Sequence, residues 1–479
     1  MTANSPYRQN SLSSVIRCLA RTYREAAIWQ QLAVLAVPLL VYSLSEATWV
    51  QAGTALLLGI LFTLCLDPGL LLIVFSIPFA FTYKHIGADI VSLVEMLTLV
   101  CFAAWVAQKV RTWARPHVQT FQRVETLDWG VLFLVAVAFV SLLVAEDQGA
   151  ARWELRILVI EPALLYLMIR SSTAARSSGA MDRPALLQLA DALTAGAVVV
   201  AIVGLYQYFF TDYVEAVQGV RRILSIYDSP NHLSLFLGRV IPISLCLAAF
   251  GGTRRGRVTR WRRLTHGLAL IPLTLCLYLT YSRGAWLLGL PAALVCIGLM
   301  RGRWGRILAL GTLTAALLAL LPILRTPRIA TLLTFQSGTN LSRLLLWRGT
   351  ARMLADHPVF GVGLGNFMRQ YPRYMLREAG HEPVVFHPHN LLLDTWTSLG
   401  IPGLAALAWI QVAFFGLGLR LYHRLTTEPE VQALTLGLMA SMIGFLAHGL
   451  VDTGFRLTDL AFVFMLTLGI VRRIGADFD

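Results

Sequence analysis

Charge is scarce in this chain. Only 14% of its 479 residues are Asp, Glu, Lys or Arg, while 57% are hydrophobic. A soluble domain is about a quarter charged and about half apolar, so an ordinary soluble enzyme is excluded. Cysteine is also sparse. Cys18, Cys65, Cys101, Cys246, Cys276 and Cys296 all lie in apolar runs or in the N-terminal tail, which indicates no disulfide framework. No CxxC or Cys/His spacing of a zinc site occurs, and there is no internal repeat. The start of the chain has no short apolar stretch followed by a small-residue cleavage site, so no cleaved signal peptide is expected. Acidic residues are outnumbered, 26 against 40 basic, for a formal net charge of +14. That excess is not a nucleic-acid signal, because the arginines flank apolar runs and are not gathered on one soluble domain.

What the chain has instead is apolar runs, with a mean hydropathy of +0.66. Stretches such as 52–66, 127–145, 192–210 and 307–324 can satisfy their backbone polar groups in lipid only as helices. Fourteen spans are expected, at 28–45, 48–66, 69–84, 88–108, 127–145, 153–170, 185–210, 232–250, 266–282, 285–300, 306–324, 391–420, 431–451 and 456–473. The closely spaced early ones can merge or re-enter, so the fold class is an all-α polytopic membrane protein of about 12–14 transmembrane helices. Arginines gather on alternate connections, among them Arg254, Arg255, Arg257, Arg260, Arg262 and Arg263 between two spans. The positive-inside rule makes that side cytoplasmic. Residues 1–27 then form a basic cytoplasmic segment, with a helix over 8–27 on the inner membrane surface. The remaining plan is transmembrane helices over 28–324, a long external segment over 325–390, and C-terminal transmembrane helices over 391–473.

Two outer connections break the rule. The short loop 211–231 carries Arg221 and Arg222. The long segment 325–390 carries Arg325, Arg328, Arg343, Arg348, Arg352, Arg369, Arg373 and Arg377. A loop of that length is usually functional or disordered. Within it, 340–355 reads as an amphipathic helix, with Leu341, Leu344, Leu345 and Trp347 near one face and Arg348 and Arg352 near another. Pro358 stops it, Gly361-x-Gly363-x-Gly365 makes a tight turn, and 367–378 reads as a second short helix. The glycines are not a phosphate-binding loop, since no strand precedes them and no Lys-Ser/Thr follows.

Several polar residues fall at the outer membrane face. Arg283 lies between two spans that leave almost no loop. It is either a snorkelling arginine or an anion site, and a planar guanidinium suits bidentate phosphate binding. Arg221 and Arg222 are either solvated or, with Arg283, a grip for a diphosphate. His387 and His389 flank a proline where the long segment re-enters the membrane. Histidine titrates near neutrality and can accept a hydroxyl proton; a metal ligand pair and a helix cap are the alternatives. Asp452 either orients His389 or pairs with an arginine.

These residues sit in motifs that resemble a known family. Tyr281-Ser-Arg283-Gly284 comes first. Arg343-x-x-x-Trp347 follows, then His357-Pro358-x-x-Gly361-x-Gly363-x-Gly365-Asn366-Phe367. Last is His387-Pro388-His389-Asn390, ten residues before Gly400-Ile401-Pro402-Gly403. Together they are similar to the O-antigen ligase and polymerase superfamily, most strongly over 280–403. The resemblance implies a GT-C-like membrane glycosyltransferase of lipopolysaccharide or polysaccharide biosynthesis. It implies an undecaprenyl-diphosphate-linked glycan donor, a glycan or glycolipid acceptor, no cofactor, no metal, and an active site on the periplasmic side of the bacterial inner membrane. Carried onto this chain, it makes Arg221 or Arg222, Arg283 and Arg343 diphosphate ligands, His389 the catalytic histidine with His387 a weaker candidate, and Asp452 the late acidic residue. The long arginine-rich segment before the histidines departs from the pattern and leaves the acceptor open.

The implied chemistry is coherent. A diphosphate is already a good leaving group, so the protein must neutralise its charge and activate an acceptor hydroxyl. Fixed guanidinium groups do the first, and a histidine base does the second. A single displacement would invert the anomeric centre. A ligase using a lipid A–core acceptor is preferred to a polymerase joining repeat units. A lipid-linked glycan transporter would carry charges along its spans, and only Glu161 and Arg239 stand out there. A non-catalytic scaffold is disfavoured by polar groups converging at one face. The sidedness is testable by placing single cysteines at Gly338 and Gly380 in a chain without native cysteines. An impermeant thiol reagent should label both in intact cells; labelling only after lysis would overturn the topology.

Overall fold

The computed structural model describes residues 12–86, 89–113, 123–171, 183–217, 220–252, 257–320, 338–376 and 386–478. It is helical almost throughout, and each of the fourteen expected spans falls on a helix. Five helices are long and apolar enough to cross a membrane: Leu93–Thr112, Pro184–Phe210, Pro230–Phe250, Leu391–Thr427 and Pro429–Gly449. Five shorter apolar helices accompany them among the described residues. The chain divides into two compact units, residues 1–73 with 82–120, and residues 74–81 with 121–479.

In the first unit, α1 (Leu12–Glu25) is the expected basic amphipathic helix, with Arg21 Nε on Glu25 at 2.8 Å. Helices α2 (Ile28–Leu44) and α3 (Thr48–Leu64) pack together, and α3 packs on α5 (Leu93–Trp113). Gln108 Nε2 donates to the carbonyls of Phe62 and Thr63, which satisfies acceptors at the C-terminal end of α3. Helix α4 (Asp67–Ser76) precedes a small hairpin of β1 (Tyr83–Ile86) and β2 (Asp89–Ser92), with Tyr83 opposite Ser92 and Ile86 opposite Asp89. The expected span 69–84 is therefore shortened and the helix of 88–108 is shifted to start at Leu93, because β-favouring Tyr83, Ile86, Ile90 and Val91 lie in paired strands.

The second unit holds α6 (Thr126–Ser141), α7 (Gln148–Glu154), α8 (Glu161–Ser171), α9 (Arg183–Phe210), α10 (Pro230–Phe250), α11 (Arg257–Leu279), α12 (Leu290–Met300) and α13 (Gly302–Leu320). It continues with α14 (Gly338–Asp356), α15 (Phe367–Gln370), α16 (Leu391–Arg424), α17 (Pro429–Gly449) and α18 (Thr458–Gly475). A second hairpin, β3 (Glu215–Val217) with β4 (Val220–Arg222), occupies the loop before α10. Helix α10 packs on α17 and α11, α16 on α6, and α18 on α8. Helix α18 is buried along its whole length, so its apolar residues fill the core on every side. At one end Asp128 takes Arg170 Nε at 2.6 Å, Arg472 Nε at 3.0 Å and the Tyr166 hydroxyl at 2.6 Å.

The amphipathic helix expected over 340–355 is α14. The second expected helix is shorter, ending as α15 and a 3-10 turn over Tyr371–Arg373 at Pro372. Residues 321–337 and 377–385 of the long segment, including Arg325, Arg328 and Arg377, lie outside the described residues.

The glycine turn is a packing device. Gly361, Gly363 and Gly365 have φ of 66°, 87° and 70°, and Gly400 breaks α16 at φ 69°. The break lets the turn enter. Ile401 N donates to Val359 O at 2.8 Å, Val362 N to Thr397 O at 2.7 Å, and Trp396 Nε1 to Pro358 O at 2.7 Å. A Cβ at Gly400 would collide with Val359 O. A non-glycine residue in the left-handed region costs roughly 1–2 kcal/mol before any clash. Gly400→Ala should therefore lower the thermal unfolding midpoint in detergent by an amount equivalent to at least about 2 kcal/mol. Gly416→Ala, with open space around its Cβ position, should not.

Candidate functional site

The site is built where α10 and α16 begin and α11 and α17 end. Asn390 caps α16, its Oδ1 accepting from Leu392 N and Leu393 N, both at 3.0 Å. Its Nδ2 donates to Leu450 O at 2.8 Å, tying this cap to the turn after α17. On the other flank, Trp347 Nε1 of α14 donates to Pro388 O at 2.9 Å. Held from both sides, His389 takes a left-handed φ of 46°. This outlier for a non-glycine residue marks a position fixed by its surroundings.

His389 Nδ1 lies 2.9 Å from Asp452 Oδ1, although 63 residues separate them. Thr453 N donates to the same oxygen at 3.0 Å, and Arg343 Nη2 stands 3.6 Å from Oδ2. Burial would raise the Asp452 carboxyl. The His389 hydrogen bond and charge, with Arg343 and His387, outweigh it and hold the group well below the usual carboxylate range. An ionised carboxylate only accepts, so Nδ1 carries a proton, and in the neutral ring Nε2 is then the lone-pair acceptor. The His389 side chain is 36% exposed against 5% for Asp452, so the histidine faces outward and the carboxylate stands behind it. His387 packs edge-on to His389, ring centroids 4.3 Å apart. Burial, reinforced by His389, pushes the His387 pKa down to about 4.

The paired arginines are separated by the strand they share. Successive side chains of a strand point to opposite faces. Arg222 is therefore buried and Arg221 exposed. Arg222 donates to Thr280 O at 2.9 Å, Glu215 Oε2 at 2.7 Å and Asn231 Oδ1 at 2.8 Å. Its pKa is pushed down by burial, lifted by Glu215, and pushed down again by the nearby Arg283 charge. Arg221 rests over the Tyr208 ring, 5.6 Å from its centroid, and donates to Thr211 O at 3.1 Å. Arg283 follows a tight turn in which Tyr281 has φ 49°. A Cβ at Gly284 would lie 2.6 Å from the His448 ring, so only glycine lets the two turns meet there. The His448 carbonyl in turn accepts Asp452 N at 3.1 Å. Arg222, Arg283, Arg343, His387, His389 and Asp452 are thus brought together, with Arg221 on the outer face of the hairpin.

Sequence reasoning missed a buried ion network directly behind this cluster, made by Glu154, Asp394 and Arg456. The signal was present, since Asp394 lies inside an apolar span and such residues are seldom there without a role. His387, His389 and Asp452 also place their donor atoms within 4.8 Å of one another. The neighbouring Arg343 opposes a divalent cation there.

Fold and site together define a multi-pass membrane protein with a histidine–carboxylate couple beside clustered guanidinium groups. Residues 268–408 match the family model described as O-antigen ligase. That match supports the O-antigen ligase superfamily and a ligase- or polymerase-type function. It includes Arg283, Arg343, His387 and His389 and leaves Arg221, Arg222 and Asp452 outside. No curated protein matches the chain.

The His387 shift gives a pH dependence. The folded state keeps this ring neutral down to about pH 4, whereas an unfolded histidine gains its proton around 6.5. Its contribution to stability is thus complete above 6.5 and is lost as pH falls from there towards 4. His387→Gln should therefore reduce the drop in thermal midpoint between pH 7.5 and pH 5. An unchanged drop would contradict a ring kept neutral in the folded state.

Proposed function

We propose that this chain is an inverting, metal-independent glycosyltransferase of the ligase type. It takes a glycan from undecaprenyl diphosphate and transfers it to a sugar hydroxyl of a lipid A–core acceptor, at the periplasmic face of the inner membrane. The observation that carries the reading is the His389–Asp452 couple, set among arginines and opened outward through the histidine. His389 Nε2 takes the acceptor hydroxyl proton as the oxygen attacks the anomeric carbon. The bond from that carbon to the diphosphate oxygen breaks, and its electron pair leaves with the lipid diphosphate. Asp452 stabilises the imidazolium that forms.

Arg283 and the exposed Arg221 meet the diphosphate. Arg222, with its donors committed to Thr280, Glu215 and Asn231, holds the loop and adds positive potential. Arg343 links the two halves of the site through Asp452. Guanidinium groups in a site with little water stabilise the leaving charge, the role a divalent cation fills elsewhere.

The test uses the full chain reconstituted in lipid, with undecaprenyl-diphosphate glycan as donor. His389→Ala should lower turnover by ~10²–10⁴-fold while donor binding persists. Arg283→Ala should weaken donor binding, and Arg283→Lys should restore only part of it, because an ammonium lacks the bidentate geometry. EDTA should leave the rate unchanged. Normal turnover in His389→Ala would remove the base; a rate lost with EDTA and restored by Mg²⁺ would make the His387–His389–Asp452 group a metal site. Offering lipid A–core against a second lipid-linked glycan as acceptor separates ligase from polymerase.

A further inference from the structure

The Asp452 carboxylate is fixed from behind by residues the proposed reaction does not use. Thr453, fully buried, makes two bonds in opposite directions. Its backbone N–H donates to Asp452 Oδ1, the oxygen that also faces His389. Its hydroxyl donates to Asp394 Oδ2 at 2.7 Å. The other Asp394 oxygen accepts from Arg456 Nη1 at 3.2 Å. Arg456 also donates to Ser398 Oγ at 2.9 Å and Glu154 Oε1 at 2.6 Å, and Glu154 Oε2 accepts from Gly365 N at 2.6 Å. An unbroken path therefore runs from the glycine turn to His389.

The placement is specific. Asp394 lies one turn beyond Asn390 on the same helix, and Asn390 is the cap that sets His389. One helix end thus holds His389 directly and reaches its carboxylate partner through Thr453. Asp394 is itself only 6% exposed and borders a cavity of about 30 Å³ with Glu154, Ser398 and Arg456. Both of its carboxylate oxygens are taken up by Thr453 and Arg456, so it acts through its neighbours. The Arg456 guanidinium bridges Glu154 and Asp394, which keeps Asp394 oriented.

We propose that Asp394 is a positioning residue for the transfer reaction, acting through Thr453 to hold Asp452, and with it the His389 imidazole, in a single orientation. This rests on the reading of His389 as the base. A hydroxyl bond of this kind has value in catalysis because small displacements of a reacting group cost large factors in rate.

The experiment compares Thr453→Val, which keeps shape and the backbone N–H but lacks the hydroxyl, with Thr453→Ser, which retains it. Both are made in the full chain in lipid nanodiscs. Turnover, the KM for the lipid-diphosphate donor, the thermal midpoint, and the rate of His389 modification by diethyl pyrocarbonate (followed by mass spectrometry) are measured. The expected result for Thr453→Val is a kcat lowered at least ~10-fold with an unchanged donor KM, an altered His389 modification rate, and recovery of both in Thr453→Ser. If Thr453→Val does not fold, Asp394→Asn is measured for the same quantities. Wild-type turnover and unaltered His389 reactivity in the folded variant would overturn the proposal. So would a loss that follows the thermal midpoint alone and is not recovered by serine. The two readings fail differently: normal turnover in His389→Ala removes the base, while the modification rate still reports whether Thr453 orients that ring.

Discussion

A charged group carried into a lipid-embedded helix bundle must find its counter-group inside the protein, because no water is there to serve. Most of the architecture of the second unit follows from that constraint. Asp128 gathers two guanidinium groups and a tyrosine hydroxyl. Arg456 bridges two carboxylates from separate helices. Arg239 is held differently, its two Nη atoms by Ser441 O at 3.2 Å and Thr467 Oγ1 at 3.3 Å and its guanidinium over the face of Phe445 at 4.9 Å. Dipoles and a ring quadrupole stand there in place of a carboxylate. Such a residue pins α10 to α17 and α18, which argues for structural use over a transport path.

The same constraint shapes the site. Its polar side chains stand at helix ends, where capping and turn backbones already need hydrogen bonds. Asn390 spends its side chain on a cap and on the Leu450 carbonyl, so the adjacent His389 inherits a fixed direction. Glycines do the complementary work. Gly284 lets the Arg283 turn press on His448, and Gly361, Gly363, Gly365 and Gly400 let the turn before α15 enter a broken helix. Close backbone approach at these points lets segments far apart in the chain pack together around the site.

Charge placement explains why two adjacent arginines have different fates. In β4 one neighbour of the pair must face inward and the other outward. Arg222 is therefore enclosed by hydrogen bonds while Arg221 stays exposed. Arg343 combines with Asp452 at 3.6 Å, so its positive charge is partly spent on holding that carboxylate ionised for His389.

The sequence by itself determined the helices, because a span is a local property of about 20 apolar residues. It also determined the tight turn at Gly361–Gly365, the amphipathic helix before it, and the short list of polar residues stranded at one face. It could not place the hairpins, whose short strands sit at the ends of apolar runs, nor the division of labour between Arg221 and Arg222. The pairing of His389 with Asp452 across 63 residues, the bond from Thr453 to Asp394 and the bridge at Arg456 were decided only in the tertiary structure. Each joins segments far apart in the chain. Whether they meet depends on how helices pack and where glycine permits backbones to approach, and no local composition records that.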